Sequence, residues 1–236
     1  YPNGGWPQRS PLDGKPGYGA RITFNDGAMT GVMELMRDVA SGEGAFVFVD
    51  KAGRAHAAEA FRRGIDCILK CQVRIGGVST VWCAQHDEQT LAPAGARSYE
   101  PPSLSGGESA KIVKLLMSLD RPDERVREAV EAACAWYERS KITGKRLKTV
   151  ETPGAPQGRD LVLADDPAAP PLWARFYDLE HNRPIFLGRD GVPRFNLSEI
   201  PHERRNGYDW LGGWGADVLK SHAKWKAKGS APSERR

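Results

Sequence analysis

The chain has 236 residues, 40 % of them apolar and 27 % charged, enough for one domain or two small ones with a sizeable core. Its formal charge of +4 and pI near 8.9 are only mildly basic, and Lys and Arg are spread along the chain except in residues 220–236, so no aromatic-interleaved basic patch marks a nucleic-acid binder. No apolar run approaches the roughly 20 residues of a membrane span. Neither nucleic acid nor membrane is therefore expected as a partner, a monomer is expected, and the positive excess suits a polyanionic substrate.

Residues 1–27 are rich in Gly and Pro and read as an irregular loop. The chain opens inside that loop at Tyr1, so it is expected to be processed or a piece of a longer protein, and no leader can be judged. Asn25-Asp26-Gly27 is a turn and N-cap signal for a helix over 28–40, where Met29, Val32, Met33, Met36 and Val39 fall at helical spacing. A second helix is predicted over 55–72 from Ala57, Phe61, Ile65, Ile68 and Leu69. Cys67 and Cys71 lie at i, i+4 on it, and neither Cys83 nor Cys134 completes a second close pair of the kind zinc sites show. Buried free thiols are the favoured reading, with a disulfide left open. Next comes a polar loop that gathers Gln85, His86, Asp87, Glu88, Arg97, Tyr99 and Glu100 between two apolar helices. A loop this long in a compact domain is usually functional or disordered, and Trp82, Cys83, Leu91 and Tyr99 favour order. Ser105 and Glu108 have capping-box spacing ahead of a third helix to Leu119. A fourth runs over 123–141, after a break at 120–122.

The order of paired helices and long polar loop recurs weakly at roughly 70–80 residues, the pattern of helical solenoids and α/α toroids. An ordinary helical bundle is the alternative. Residues 145–172 read as a long extended connection, 173–213 as short strand-like pieces with turns, and 214–236 as a basic, solvated tail. Arg175, Arg183 and Arg189 recur among aromatics, which suits carboxylate recognition through the planar guanidinium; surface ion pairs with Asp178, Glu180 and Asp190 are the plainer reading.

The strings YPNGGWPQ (1–8), ITFNDGAM (22–29), GIDCILK (64–70), WCAQHDEQTLAPAGARSYEPPSLSGGES (82–109), PLWARFYDLEHNRPIFLGRDG (171–191) and ERRNGYDW (203–210) together resemble the family 10 polysaccharide lyases, the bacterial pectate lyases. They cover most of 1–212 in order, and none is a generic short motif. The resemblance implies an all-α fold, an α/α toroid with a wide groove, long irregular loops and a few short strands. The toroid is expected to be incomplete, because the family carries a further helical repeat, with another acidic residue of the calcium site, before YPNGGWPQ. The implied domain spans 1–213. The implied activity is calcium-dependent β-elimination of α-1,4-linked polygalacturonate (pectate) to unsaturated oligogalacturonides, by a secreted or periplasmic enzyme. On the same resemblance Asp26 ligates Ca2+, Asn25 lines the same groove, Arg97 is the proton-abstracting base, and Arg183 binds substrate with Arg175 as the fallback. Lys70 and Tyr99 complete the substrate-binding set.

The chemistry makes these residue types reasonable. Elimination removes the C5 proton, alpha to a carboxylate, and expels the C4 oxygen. A hard dication on the carboxylate oxygens disperses the charge that builds there, and calcium takes six to eight oxygens, several of which substrate and water supply. Capping the first helix is the plainer role for Asp26. Arg97 as a base is physically awkward, since a guanidinium is almost never neutral. Nearby cations lower its pKa; otherwise Arg97 is a permanent cation and another group, with Lys70 a candidate, takes the proton. A salt bridge from Arg97 to Glu100 is its plain structural role. Asp87 and Glu88 are open between calcium ligation, holding Arg97 and structural pairing, and His86 reads as a hydrogen-bonding scaffold. Trp82, Tyr99, Tyr177 and Tyr208 suit either sugar stacking or core packing. A glycoside hydrolase using two carboxylates and a non-catalytic pectin-binding fragment are the competing functions.

Overall fold

The computed structural model describes residues 1–10, 12, 14 and 17–229. In chain order these form β1 (Ile22–Thr23), α1 (Ala28–Ser41), α2 (Lys51–Cys71), β2 (Arg74–Ile75), β3 (Val78–Ser79), β4 (Gln85–His86), β5 (Pro93–Ala94) and β6 (Leu104–Ser105). There follow α3 (Glu108–Met117), α4 (Glu124–Arg139), β7 (Lys145–Glu151), β8 (Arg159–Asp165), β9 (Trp173–Ala174), β10 (Phe176–Tyr177), β11 (Phe186–Leu187), β12 (Pro193–Arg194), α5 (His202–Asn206), β13 (Leu211–Gly212) and α6 (Trp214–Gly229).

The helices arise where the apolar spacing places them. Asp50 caps α2 through Gly53 N–H at 2.7 Å, and Asp123 caps α4 through Val126 N–H at 3.0 Å. α1 lies along α2, with Met29 and Met33 fully buried. The approach is close because Gly64 faces Met33; a Cβ there would sit 2.0 Å from the sulfur. α3 packs on α4 and α6. The segment expected to be a solvated tail is, up to residue 229, the helix α6, with Val218 buried against the core. Residues 230–236 of that expectation lie outside the described residues.

The all-α toroid is corrected by this architecture. Among the described residues six α-helices are accompanied by thirteen strands in small antiparallel sheets, so the fold is mixed. The loops that sequence reading leaves irregular pair with one another: β1–β4–β5 form one sheet, β6 pairs with β10, and β9 with β13. Ile22 lies opposite His86, and Phe176 opposite Ser105. The connection at 145–172 is a hairpin of two seven-residue strands, Lys145 facing Asp165. These ladders satisfy backbone groups that a buried loop would otherwise leave unpaired, and they pin the loops after α2 and α4 to one face of the helices.

The core is continuous and aromatic. Trp82, Trp136, Trp173 and Trp210 are fully buried. Each indole N–H finds an acceptor: Ile68 O at 2.7 Å, Asn182 Oδ1 at 2.7 Å, Tyr137 O at 2.9 Å and Arg204 O at 2.9 Å respectively. Edge-to-face contacts of Trp136 with Tyr137 and Tyr177, and of Tyr137 with Trp173, lock the 173–177 strands onto α4. Trp82 and Tyr177 are thus core residues and offer no ring to a sugar. All four cysteines are buried free thiols.

Candidate active site

The turn before α1 places Asn25 and Asp26. Phe24 and Asn25 donate backbone N–H groups to Ala84 O at 2.9 and 3.0 Å, which ties the turn to the loop after α2. Asp26 then takes φ 56° and Gly27 φ 79°, so the helix begins only at Ala28. Asp26 does not cap α1. No side chain does, and the Asp26 carboxylate instead accepts from Asn25 Nδ2 at 2.9 Å and stands 75 % exposed. A left-handed non-glycine residue with a free carboxylate is strained backbone used to present a group.

Facing it is Arg175, carried between β9 and β10. Its guanidinium is largely buried and pairs with Glu108 at 2.5 Å; it donates to Asn25 Oδ1 at 3.2 Å and lies 4.0 Å from Asp26. Burial works against its charge, but Glu108, Tyr208 and Asp26 together raise its pKa. Its Nε–H is buried with no partner among the described residues. Asp26, Glu108, Lys111, Arg175, Asp209 and Trp214 line a groove of about 320 Å³. Glu108 is the residue that sequence reading assigns too little. It does form the reciprocal contact with Ser105, whose Oγ accepts from Glu108 N–H at 3.2 Å, but its second oxygen holds Arg175. Lys111 and Asp209 were not singled out; a helical i, i+3 relation of Lys111 to Glu108 and Lys114 is the only sequence signal for the former.

Arg97 sits beside this groove rather than in its lining. Its Nε donates to Glu100 at 2.7 Å, its Nη2 to the other carboxylate oxygen, and its backbone N–H to the first at 3.2 Å. The salt bridge considered as its plain role is therefore present. The Glu100 hydrogen bonds raise the Arg97 pKa against the opposing effect of burial. Burial likewise pushes Glu100 up, but hydrogen bonds from Arg97 and Tyr208 outweigh it and hold the carboxyl below its ordinary range. Tyr208 links the two cations: the Arg175 guanidinium lies 4.8 Å and that of Arg97 5.9 Å from its ring centre, and its hydroxyl donates to Glu100 at 2.8 Å. Tyr99 is buried. Its ring carries Arg97 at 5.0 Å and Arg204 at 4.7 Å, so it braces arginines and does not open to the groove.

The remaining candidates lie elsewhere. Arg183 is exposed, 3.7 Å from Asp178 and stacked 4.1 Å over Phe195, close to the surface pairing expected of it. Arg189 pairs with Glu203 instead of Asp190. Lys70, exposed in the last turn of α2, makes no hydrogen bond or ion pair with the other candidates. Asp87 and Glu88 both hold Arg21, the latter at 3.1 Å, so neither holds Arg97. His86 is a scaffold residue as read: Nε2 accepts from Cys83 N–H at 3.1 Å, and Nδ1 lies 2.9 Å from Leu91 O. Burial drops its pKa to about 4.

Comparison with known proteins decides what this arrangement belongs to. The family profile described as Pectic acid lyase matches residues 1–219. The chain belongs to the pectic acid lyase family. The family 10 polysaccharide lyase from Cellvibrio cellulosa is similar in structure, with 33 % identity over 96 % of this chain and 68 % of that one and a TM-score of 0.86. An Asp-to-Ala variant of that enzyme, in complex with trigalacturonic acid, matches at 33 % identity over 95 % of this chain and 68 % of that one, TM-score 0.85. No curated protein sequence matches. The chain is thus an enzyme of the lyase class, a polysaccharide-degrading pectic acid lyase.

Family membership implies calcium, and the residues can be tested against it. Among the described residues no three of His, Cys, Asp and Glu come together, so those residues by themselves supply no cluster of carboxylates for calcium. The chain does present an exposed carboxylate, on Asp26, which among the described residues accepts one hydrogen bond, from its neighbour Asn25, and lies 4.0 Å from Arg175. A hard dication needing six to eight oxygens fits there only if substrate carboxylates and water complete the shell.

Proposed function

We propose that this pectic acid lyase cleaves polygalacturonate by calcium-dependent β-elimination, releasing unsaturated oligogalacturonides. The observation that carries the reading is the exposed Asp26 carboxylate set 4.0 Å from the Arg175 guanidinium in one groove. A cation and a metal-binding oxygen side by side match a substrate whose every unit bears a carboxylate. The trigalacturonic acid bound by the Cellvibrio variant supports an anionic ligand of this class. Action on a cell-wall polymer too large to cross a membrane supports a secreted or periplasmic enzyme.

Asp26 would hold calcium, with Asn25 fixing the carboxylate. The metal, when bound, withdraws charge from the uronate carboxylate and so acidifies the C5 proton. Arg175, rigid in its contacts with Glu108, Asn25 and Tyr208, orients a substrate carboxylate through its planar fork. Arg97 acts as a permanent cation that stabilises charge developing on the reacting unit; the raised pKa imposed by Glu100 supports this role over that of a base. The proton then passes to water or hydroxide in the groove, and the C4 oxygen leaves. Arg183, Tyr99 and Lys70 have less support as substrate contacts; Arg183 and Lys70 are exposed enough to reach a long polymer, whereas Tyr99 is buried.

The test is incubation with polygalacturonate, with calcium and with chelator, following the absorbance of unsaturated uronide. Product with calcium and none with chelator is expected. Turnover undiminished by chelator removes the metal from the proposal, and reducing ends without unsaturated product point to hydrolysis. Binding without turnover identifies a pectin-binding fragment.

A further inference from the structure

Lys114 stands at one end of the Asp26–Arg175 groove and also lines a second cavity, of about 300 Å³, together with Lys224, Trp225 and Lys228. That cavity shares Met117, Ser118, Trp225 and Lys228 with a third, of about 540 Å³, below the turn from α3 to α4. Neighbouring cavities are thus linked by shared lining residues along the seam where α6 packs on α3 and α4. Helical spacing explains the alignment. On α3, Lys111 and Lys114 fall at i and i+3, with its C-cap Ser118 at i+7; on α6, Asp217, Ser221, Lys224 and Lys228 fall at i, i+4, i+7 and i+11. The stripe on α6 is about 16 Å long at 1.5 Å per residue.

The seam has a consistent chemistry. Lys224 and Lys228 are exposed and have no hydrogen-bond or ion-pair partner among the described residues. Trp225 is half-buried against the core, with one face of its ring stacked on His222 at 6.0 Å and the ring lining the second and third cavities. The acids nearby are engaged: Asp217 with Lys114 at 3.7 Å, and Glu131 with His222 at 3.0 Å and Lys226 at 3.6 Å. Asp120 lines the far end. Free cations beside an aromatic surface fit a ligand that alternates carboxylates with apolar sugar faces.

We infer that this seam is an accessory track for anionic polysaccharide extending beyond the catalytic groove, with Lys224 and Lys228 taking uronate carboxylates and Trp225 a sugar face. The inference rests on the polyuronate reading above. Lysines suit the task because a compact charge on a flexible stem follows a polymer without demanding a fixed register, whereas the arginines of the groove impose one. The α6 residues concerned also lie past residue 219, where the family match ends. Each exposed ion pair is weak, so the track acts by adding intramolecular contacts once the groove has captured the chain. Only polymers long enough to span both sites gain from it.

The experiment is the K224E/K228E double variant of the full chain, with thermal unfolding to confirm the fold and K224Q/K228Q as the milder alternative. Equilibrium binding and steady-state cleavage are measured on polygalacturonate and on trigalacturonate. Expected are a rise of about tenfold in Kd and KM for the polymer at unchanged kcat, wild-type values on the trimer, and a shallower dependence of polymer affinity on salt. Trp225→Ala should show the same split between polymer and trimer. A polymer affinity equal to wild type, or an equal loss on trimer and polymer, overturns the track, as does wild-type binding of duplex DNA as tight as that of the polymer. Unsaturated product from the wild-type chain judges the polyuronate reading separately: cleavage by wild type with an unaffected variant refutes the track alone, whereas neither cleavage nor polymer binding by wild type overturns both.

Discussion

Replacing Glu100 by Gln separates the two roles open to Arg97, because they predict rate changes of opposite sign. The Glu100 carboxylate accepts from Arg97 Nε at 2.7 Å, Arg97 N–H at 3.2 Å and Tyr208 Oη at 2.8 Å, with Arg97 Nη2 closing the fork. Its side chain is 7 % exposed and that of Arg97 43 %. Gln keeps the shape and one acceptor but loses the charge. A charge-assisted bond contributes roughly 1.5–3 kcal/mol; solvent at Arg97 screens it, so the stability cost should be about 1–2 kcal/mol, or about 2–8 °C in Tm for a chain of this size. Because the folded pKa of Glu100 is lowered from 4.5, its contribution is present above that pH and is lost as pH falls through the folded value; the gap between variant and wild type should close in acid. For the rate, a base that must be neutral gains from the substitution: each unit by which the Arg97 pKa falls enlarges the neutral fraction about tenfold, and cleavage at fixed pH speeds up. A permanent cation stays charged and loses only its orientation. We expect kcat to fall about tenfold, less than the roughly 10²–10³ lost when such a stabilising group is removed outright, with the alkaline limb of the pH profile unmoved. Initial rates of unsaturated product from neutral to alkaline pH, for wild type, Glu100→Gln and Arg97→Lys, make the comparison. A faster Glu100→Gln enzyme, or an alkaline limb displaced to lower pH, would refute the cation assignment.

Asp26→Ala should raise the calcium needed for half-maximal turnover or abolish turnover, at a cost of about 1 kcal/mol because Ala tolerates φ 56° less well than Asp although the side chain is 75 % exposed; a calcium titration of the initial rate reads it. His86, held neutral by burial with its pKa lowered from 6.5 to about 4, makes the fold lose stability as pH falls from about 6.5 to about 4, since the unfolded chain takes up the proton first; the loss should approach 3 kcal/mol, on the order of 1.36 kcal/mol per unit, and urea unfolding across that range should show it. Gly106→Ala places a Cβ 2.2 Å from Ala174 O, where β6 meets β10 next to Arg175. It should cost about 1–3 kcal/mol, as overpacking does, and lower kcat/KM by shifting Arg175; unchanged Tm and rate would show that the strand pair gives way freely.

What the sequence makes legible here is set by range. The periodicity of Met29 and Met33, or of Ile65 and Ile68, is local, and it marks α1 and α2 within a few residues of their observed limits. The family strings are also contiguous, and they bring Asn25 and Asp26 to notice together. Strands of two residues, such as β1 or β6, are too short to show a period of two, so a fold stitched by such ladders reads as helices joined by loops, and the all-α expectation follows. Capping signals mislead for a related reason. Asn25-Asp26-Gly27 has the composition of a helix start and also of a turn with positive φ; the second holds, and a backbone at φ 56° turns the carboxylate outward instead of onto the helix.

The pairing of Arg175 with Glu108 spans 67 residues, and that of Tyr208 with Glu100 spans 108, so neither is visible in spacing. Yet these contacts determine the electrostatics of the site. One tyrosine ring carries two guanidiniums, an arrangement that like-charge repulsion would oppose in a dry environment. It is tolerated because each of the two is paired with an acid, Glu100 for Arg97 and Glu108 for Arg175, while Arg189 and Arg204, over the Tyr99 ring, share Glu203. Arginines neutralised in this way fix direction and geometry but leave little surplus charge to draw in a polyanion. On the proposed track that surplus comes from Lys224 and Lys228 of α6, which have no such partner among the described residues. Orientation and attraction are then assigned to different side chains, so removing Lys224 and Lys228 should alter how much polymer is bound, whereas disturbing Glu100 should alter how fast bound polymer is cut.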